Sequence, residues 1–177
     1  MPGETILLAD DDPQMLKLLT EFLAAEGYAI VAAPDGAKAM EAMEGQEFHL
    51  ALLDLMLPGY SGLELLRLFK LYSPETEVIL FTGYADIDSA VQALRLGAYD
   101  YLVKASFRLS DFKQVVARAL ERRRLARSNR ELLENLRQSR EELERRRAQE
   151  LSQVRRIGET LAAPLSWEQL SNGLSDL

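Results

Sequence analysis

The chain has 177 residues, 47% of them hydrophobic and 28% charged, a composition typical of a folded domain rather than a disordered chain. It contains no cysteine, which excludes disulfides, cysteine-ligated zinc and a thiol nucleophile, and its single histidine, His49, excludes a multi-histidine metal site. No apolar run reaches the roughly 18 residues of a membrane span. The N-terminus also lacks the basic start and long apolar stretch of a secretory signal, so we expect a cytoplasmic protein.

Charge divides the chain into two parts. Residues 1–104 contain 17 acidic and 6 basic side chains, a net charge of −11, whereas residues 105–177 contain 11 and 15, a net charge of +4. The length suffices for one ordinary domain and about 50 to 70 further residues. We therefore predict a domain over residues 1–120, a helical element over residues 121–162 and a short terminal segment over residues 163–177.

The first part alternates short apolar runs with helical patterns. Five apolar runs are predicted to be strands, at residues 5–9, 28–33, 49–53, 78–81 and 99–103. Helices are predicted over residues 13–27, 35–44 and 86–96, from residue 61 onward and from about residue 110 onward. Because most of the strands are continuously apolar and are separated by helices, the pattern predicts an α/β fold with a doubly wound parallel sheet.

Helix-capping residues mark several of these boundaries. Asp12, directly before a proline, and Asp35 are interpreted as N-caps. Ser61 and Glu64 have the spacing of a capping box, and Gly97 ends the helix that precedes the fifth strand.

Polar side chains follow four of the five predicted strands. Asp10 and Asp11 follow the first, Asp54 the third, Thr82 the fourth and Lys104 the fifth. The carboxyl ends of parallel strands share one edge, where α/β proteins bind ligands. Clustered carboxylates call for a cation, and Mg²⁺ prefers such oxygen ligands. With an ammonium and a hydroxyl nearby, the cluster suits a phosphoryl group, and Asp54 is the best-placed nucleophile for an acyl phosphate.

Four segments resemble the receiver domain of two-component response regulators, in the family's order and close to its spacing. They are ILLADDDP (6–13), LLDLMLPGYSG (52–62), LFTGYAD (80–86) and GAYDYLVK (97–104). The resemblance covers roughly residues 4–120 and implies a five-stranded, flavodoxin-like sheet of order 2-1-3-4-5. It also implies a phosphoprotein that takes its phosphoryl group from a histidine kinase or a phosphotransfer protein. His49 begins a strand, at the opposite end from the site, and is interpreted as structural.

The resemblance implies a role for each residue that matches the family's motifs. Asp11 resembles the direct Mg²⁺ ligand and Asp10 a ligand that acts through metal-bound water. Asp54 resembles the phosphoacceptor and a further metal ligand, and the backbone carbonyl of Met56 is expected to complete the protein ligands.

Three further residues match the parts of the family that respond to the phosphoryl group. Thr82 resembles the switch hydroxyl, Lys104 the lysine that pairs with the phosphoryl group, and Tyr101 the aromatic residue that turns inward when the hydroxyl moves. Such a domain is not an enzyme, although it supports its own phosphotransfer and a slow autodephosphorylation.

The residue after the lysine departs from the family's pattern. Family members usually have a proline there, joined by a cis bond, whereas this chain has Ala105. A non-proline cis bond costs about 2.5 to 4 kcal/mol, so the bond's isomer and the orientation of Lys104 stay open.

Two apolar or aromatic residues occupy positions where family members that dephosphorylate quickly tend to have polar side chains. Met56 lies two positions after the phosphoacceptor and Tyr84 two positions after the switch hydroxyl. The sequence therefore predicts a comparatively long-lived phosphoryl group.

The second part reads as one long helix over residues 110–162, which contains no proline. Leu125, Leu132, Leu136 and Leu143 follow the 7-4-7 spacing of a heptad seam, which continues from Leu151 with a shift of one residue. We predict a parallel homodimeric coiled coil through residues 110–162. The alternative is a single helix stabilised by Glu–Arg pairs.

Arginine-rich stretches in this helix do not predict direct nucleic-acid binding. Residues 121–150 contain 10 Arg and 7 Glu, interleaved as on a helix surface laced with ion pairs. Residues 151–174 are weakly similar to the leading helix and turn of GAF domains, so residues 163–177 are either a cap or the start of an output or sensor domain.

The predicted function is therefore a receiver that relays phosphorylation through a dimeric helix to an output domain. The alternative is a receiver-shaped dimerisation scaffold that does not signal. An aspartyl-phosphate enzyme is disfavoured because Met56 stands where such enzymes use a second aspartate, and direct use of a nucleoside triphosphate because the chain has no Walker-type motif.

Overall fold

The computed structural model describes residues 3–83, 86–106 and 108–162, and side chains within the last helix as far as residue 159. The chain divides into two compact units, Met1–Ser128 and Asn129–Leu177. Each unit is described by itself below. The predicted terminal segment, residues 163–177, lies outside the described residues, and Tyr84 does so as well.

Strands and helices alternate through the first unit, as the sequence pattern predicts. The strands are β1 (Thr5–Ala9), β2 (Ala29–Ala33), β3 (Leu50–Leu53), β4 (Glu77–Thr82) and β5 (Asp100–Val103). The helices are α1 (Pro13–Ala25), α2 (Gly36–Gly45), α3 (Gly62–Tyr72), α4 (Ile87–Arg95) and α5 (Leu109–Ala162). Most boundaries lie within two residues of the prediction.

The five strands form one parallel sheet in the order β2-β1-β3-β4-β5. The predicted flavodoxin-like order is thus confirmed. The central strands β3 and β4 are buried throughout, as their continuous apolar sequences require, whereas the edge strand β2 is partly exposed.

Two hydrophobic layers enclose the sheet. Met43 of α2 and Phe69 of α3 belong to the core cluster on one face, and Leu23 of α1 and Phe112 of α5 to the cluster on the other. The rings of Phe112 and Phe81, the latter on β4, lie 5.5 Å apart, which ties the start of α5 to the strand that ends at Thr82.

The predicted helix caps are present. The Asp12 side chain accepts hydrogen bonds from the backbone of Gln14 and Met15 at the start of α1. Ser61 and Glu64 form the reciprocal capping box of α3. These contacts satisfy backbone N–H groups that have no partner within the helix, so they fix where each helix begins.

His49 is a partly buried structural residue, in line with its interpretation from sequence. The backbone N–H of Thr5 donates to its Nδ1 at 3.0 Å, which assigns the ring proton to Nε2. Burial, followed by the nearby charge of Arg123, lowers the pKa of His49, so the ring is neutral at pH 7.

In the second unit, every side chain from residue 129 to residue 159 is exposed. Ion pairs spaced four residues apart run along the helix, joining Arg137 to Glu141, Arg140 to Glu144, Glu142 to Arg146, and Arg155 to Glu159. The exposed large apolar side chains include Leu132, Leu136, Leu143 and Leu151. Within the described residues, no helix is both long and apolar enough to cross a membrane.

Candidate functional site

The carboxyl edge of the sheet brings Asp10 and Asp54 together through the backbone ladder. The Asp10 N–H donates to the Ala33 carbonyl at 3.1 Å, and the Asp54 N–H donates to the Ala9 carbonyl at 2.8 Å. The two aspartates therefore extend the pairing of β1 with its neighbours. Asp10 is 1% exposed and Asp54 is 6% exposed, whereas Asp11 is exposed.

Asp10, Asp11 and Asp54 form an acidic cluster in which one carboxylate oxygen of each lies within 4.8 Å of the others. Asp10 Oδ2 is buried and accepts no hydrogen bond from the described residues. Hard carboxylate oxygens at this spacing, one of them buried without a donor, suit a small divalent cation with oxygen ligands. The residues present therefore fit the metal site that the sequence predicts.

Lys104 reaches into the cluster from the end of β5. Its Nζ lies 2.5 Å from Asp54 Oδ2, to which it donates a hydrogen bond, and 2.5 Å from Asp10 Oδ2, with which it forms an ion pair. Its backbone N–H donates to the Thr82 carbonyl at 2.7 Å. The Lys104–Ala105 bond is trans, so Lys104 reaches Asp54 without the family's cis proline.

Burial and charge oppose each other in this pocket. Burial raises the pKa of Asp10, and the hydrogen bonds from Lys104 and the Asp12 backbone only partly offset this. Burial also lowers the pKa of Lys104, but its hydrogen bonds and charge interactions with Asp10 and Asp54 outweigh burial, and the net pKa is raised. The ammonium is therefore charged at pH 7 and is available to an anionic ligand.

Thr82 and Tyr101 lie on adjacent strands beside the cluster. Thr82, the last residue of β4, is buried, and Tyr101 of β5 is half-buried. The Tyr101 hydroxyl lies 3.2 Å from Ser89 Oγ of α4. The tyrosine thus contacts α4, a helix with an exposed apolar stripe at Ile87, Val91 and Leu94.

The loop after β3 is held close to the backbone of Asp54. The Met56 N–H donates to Asp54 Oδ1 at 3.1 Å, while the Met56 side chain is 70% exposed. Gly62 begins α3, and a Cβ there would lie 2.3 Å from the Asp54 carbonyl oxygen. Only glycine leaves room for α3 to start against this backbone.

We expect Gly62→Ala to lower the free energy of unfolding by about 1–3 kcal/mol, because the added methyl group must displace the Asp54 backbone. Urea denaturation measures this. Gly45→Ala is the matched control, because a Cβ at Gly45 meets nothing within 4 Å. Equal stability of the two variants would show that the close contact carries no constraint.

Comparison with known proteins identifies the family. A family model described as the response regulator receiver domain matches residues 6–117. The chain belongs to this family. The matched part of the receiver includes the acidic cluster and Lys104, and the fold and family expected from its motifs are confirmed.

Relatives and solved structures agree with this assignment. The receiver is similar to the nitrogen assimilation regulatory protein NtrX of Azorhizobium caulinodans, with 37% identity over 129 residues, which cover 72% of this chain and 28% of that protein. The chain spans about a quarter of the length of the curated relatives it matches.

Two solved structures give the same result. A receiver domain from Methanospirillum hungatei has a TM-score of 0.67 and 30% identity, covering 70% of this chain and 98% of that one. The response regulator TrrA of Thermotoga maritima, solved in complex with Mg²⁺-BeF, has a TM-score of 0.60 and 32% identity, covering 66% and 99%.

Two features of the receiver site were not predicted from sequence. The contact of Lys104 with Asp10 as well as Asp54 depends on the rotamer of a long side chain, which residue spacing does not determine. The close approach of Gly62 to Asp54 could have been suspected, because a glycine directly after the helix N-cap lacks the usual conformational reason for being there.

Proposed function

We propose that the receiver accepts a phosphoryl group on Asp54 from a phosphohistidine of a histidine kinase or phosphotransfer protein, with Mg²⁺ bound by the acidic cluster. The observation that carries this proposal is the pocket itself. Three carboxylates lie within 4.8 Å of one another, and a lysine Nζ lies 2.5 Å from Asp54. A helix cap or a structural ion pair would not need this concentration of charge.

The proposed ligands of Mg²⁺ are the Asp11 and Asp54 carboxylates and the Met56 carbonyl, with Asp10 acting through metal-bound water. When bound, the ion would neutralise negative charge on the phosphoryl oxygens. The burial of Asp10 and its unpartnered Oδ2 support this assignment, because a buried carboxylate oxygen requires a donor or a cation.

In the proposed transfer, an Asp54 carboxylate oxygen attacks phosphorus. The new O–P bond forms as the P–N bond to the donor imidazole breaks, and the imidazole nitrogen keeps the bonding electron pair. Lys104 moves its hydrogen bond from the Asp54 carboxylate to a phosphoryl oxygen. The same ammonium thus balances the carboxylate charge before transfer and the phosphoryl charge after it.

Thr82 and Tyr101 are proposed to report the phosphoryl group. The Thr82 hydroxyl donates to a phosphoryl oxygen, and Tyr101 moves inward to fill the space that the threonine leaves. That movement breaks the contact of the Tyr101 hydroxyl with Ser89 of α4. The surface formed by α4, β5 and α5 changes as a result.

The proposed output is a change in a parallel dimeric coiled coil formed by α5. Leu132, Leu136 and Leu143 are more than half exposed in the single chain, at the spacing of a heptad seam. A second copy would cover them. Relatives named transcriptional regulatory proteins are about four times longer, so an output activity of the whole protein would depend on residues outside this chain.

Phosphorylation by a small donor tests the proposed function. Phosphoramidate contains the same kind of P–N bond as phosphohistidine, and intact mass spectrometry measures the product. We expect one phosphoryl group per chain, with incorporation that requires Mg²⁺ and is prevented by a chelator. A folded chain that takes up no phosphoryl group would contradict the proposal and leave the dimerisation scaffold as its alternative.

The phosphoryl group is expected to persist for minutes after the donor is removed. The exposed, apolar Met56 side chain offers no polar group to orient an attacking water. Rapid desalting followed by timed intact-mass measurement gives the lifetime. Met56→Asn should shorten it, and loss of the wild-type label within seconds would refute the prediction.

A further inference from the structure

Three consecutive arginines of α5 contact the amino-terminal edge of the sheet, opposite the phosphorylation site. The contacts are Arg122 Nε to Glu77 Oε1 at 3.4 Å, Arg123 Nε to the Glu75 carbonyl oxygen at 3.1 Å and Arg124 Nε to Glu4 Oε1 at 3.0 Å. We call these three arginines the arginine clasp. The clasp belongs wholly to the first unit.

The clasp restrains rotation of α5 about its own axis. Successive helical residues are about 100° apart, so the three contacts span roughly 200° of the helix circumference. Arg123 is only 7% exposed, and the Arg122 guanidinium also lies 5.5 Å from the centre of the Tyr99 ring. A helix held from three directions cannot turn without breaking at least one of these contacts.

The acidic partners of the clasp are themselves constrained. Glu4 and Glu77 are both 8% exposed, and Glu4 Oε2 has no hydrogen-bond partner among the described residues. Arg122 and Arg124 are about half exposed, so each ion pair alone contributes little stability. The contacts therefore matter more for where the helix sits than for how stable the domain is.

Strand β4 connects the clasp to the proposed switch. Glu77 is its first residue and Thr82 its last, about 17 Å apart at 3.3 Å per residue. Near the Thr82 end, Phe81 packs against Phe112 of α5. A displacement at the end of β4 can thus reach α5 at two places, through the phenylalanine pair and through the clasp.

We propose that the arginine clasp is the positioning element that couples the receiver to its helix: it fixes the rotation of α5 as the helix leaves the first unit and transmits the phosphorylation response. This inference rests on the proposed relay function. It assigns to Arg122, Arg123 and Arg124 a role that their interleaved Glu–Arg sequence pattern did not suggest.

Hydrogen–deuterium exchange of the full chain tests the coupling, with and without beryllofluoride and Mg²⁺. The clasp is opened by Arg122→Gln/Arg124→Gln, which keeps the more deeply buried Arg123. A second variant adds Glu4→Gln, so that no buried carboxylate is left unpaired and the fold is retained. Arg137→Gln/Arg140→Gln is the matched control, because it removes the same charge from α5 outside the clasp.

In the wild type and the control, beryllofluoride is expected to change the exchange of residues 129–143. In both clasp variants that change is expected to disappear, while exchange of residues 121–128 becomes about threefold to tenfold faster. Phosphorylation by phosphoramidate should be the same in all four proteins, since the clasp is remote from Asp54. This last readout separates lost coupling from a damaged site.

An unchanged beryllofluoride response in the clasp variants would overturn the clasp and leave the relay intact. A wild type that shows no response in residues 129–143, although it is phosphorylated, would instead contradict the relay itself, and the coupling with it.

Discussion

Asp54→Asn is expected to reduce phosphoryl incorporation by at least about a hundredfold, because an amide oxygen cannot replace the carboxylate as nucleophile. The substitution preserves the size of the side chain and its ability to accept the Met56 hydrogen bond. It also removes one of two negative charges beside Lys104. The folded structure should therefore persist, and intact mass after phosphoramidate treatment measures the loss.

Asp12→Asn is the matched control for this prediction. Asp12 lies beside the acidic cluster and caps α1, a role that asparagine performs equally well. It should be phosphorylated like the wild type. Equal phosphorylation of Asp54→Asn and Asp12→Asn would show that another side chain accepts the phosphoryl group.

Leu132→Gln/Leu136→Gln is expected to weaken dimerisation by at least about a thousandfold. In a dimer, each copy would bury both leucines, and burial of one leucine contributes about 1.5–3 kcal/mol. The side chains are 64% and 67% exposed in the single chain, so the variant removes no contact of the monomer's core. Sedimentation equilibrium measures the change, and circular dichroism verifies that the helix is retained.

Glu134→Gln/Glu141→Gln serves as the matched control for the seam, since these exposed residues lie off the heptad positions of Leu132 and Leu136. It should dimerise like the wild type. A wild-type chain that stays monomeric at high concentration would favour the single helix stabilised by Glu–Arg pairs.

The sheet could be predicted because its strands carry their own signal. β1, β3 and β4 are apolar without interruption, and each is followed by a polar residue at the carboxyl edge. The predicted β1 matches the observed Thr5–Ala9, and local capping chemistry placed the starts of α1 and α3. These features depend on neighbouring residues, so a single sequence contains them.

Long-range geometry was not predictable in the same way. The direction of Lys104 was left open because Ala105 replaces the usual proline, and the structure reaches the pocket with a trans bond. The arginine clasp joins Arg124 to Glu4, 120 positions away in the chain. Interleaved charges gave no sign of that pairing, since the same pattern also describes an exposed helix surface. The roles of the site residues and the domain boundary near residue 120 stay predictions.

Mapping the phosphorylated side chain tests the central claim most directly. After phosphoramidate treatment with Mg²⁺, peptides of the wild-type chain are analysed by tandem mass spectrometry under conditions that preserve acyl phosphates. The phosphoryl group is expected on Asp54 alone. A label on Asp10, on Asp11 or outside the acidic cluster would contradict the assignment of Asp54 as the phosphoacceptor.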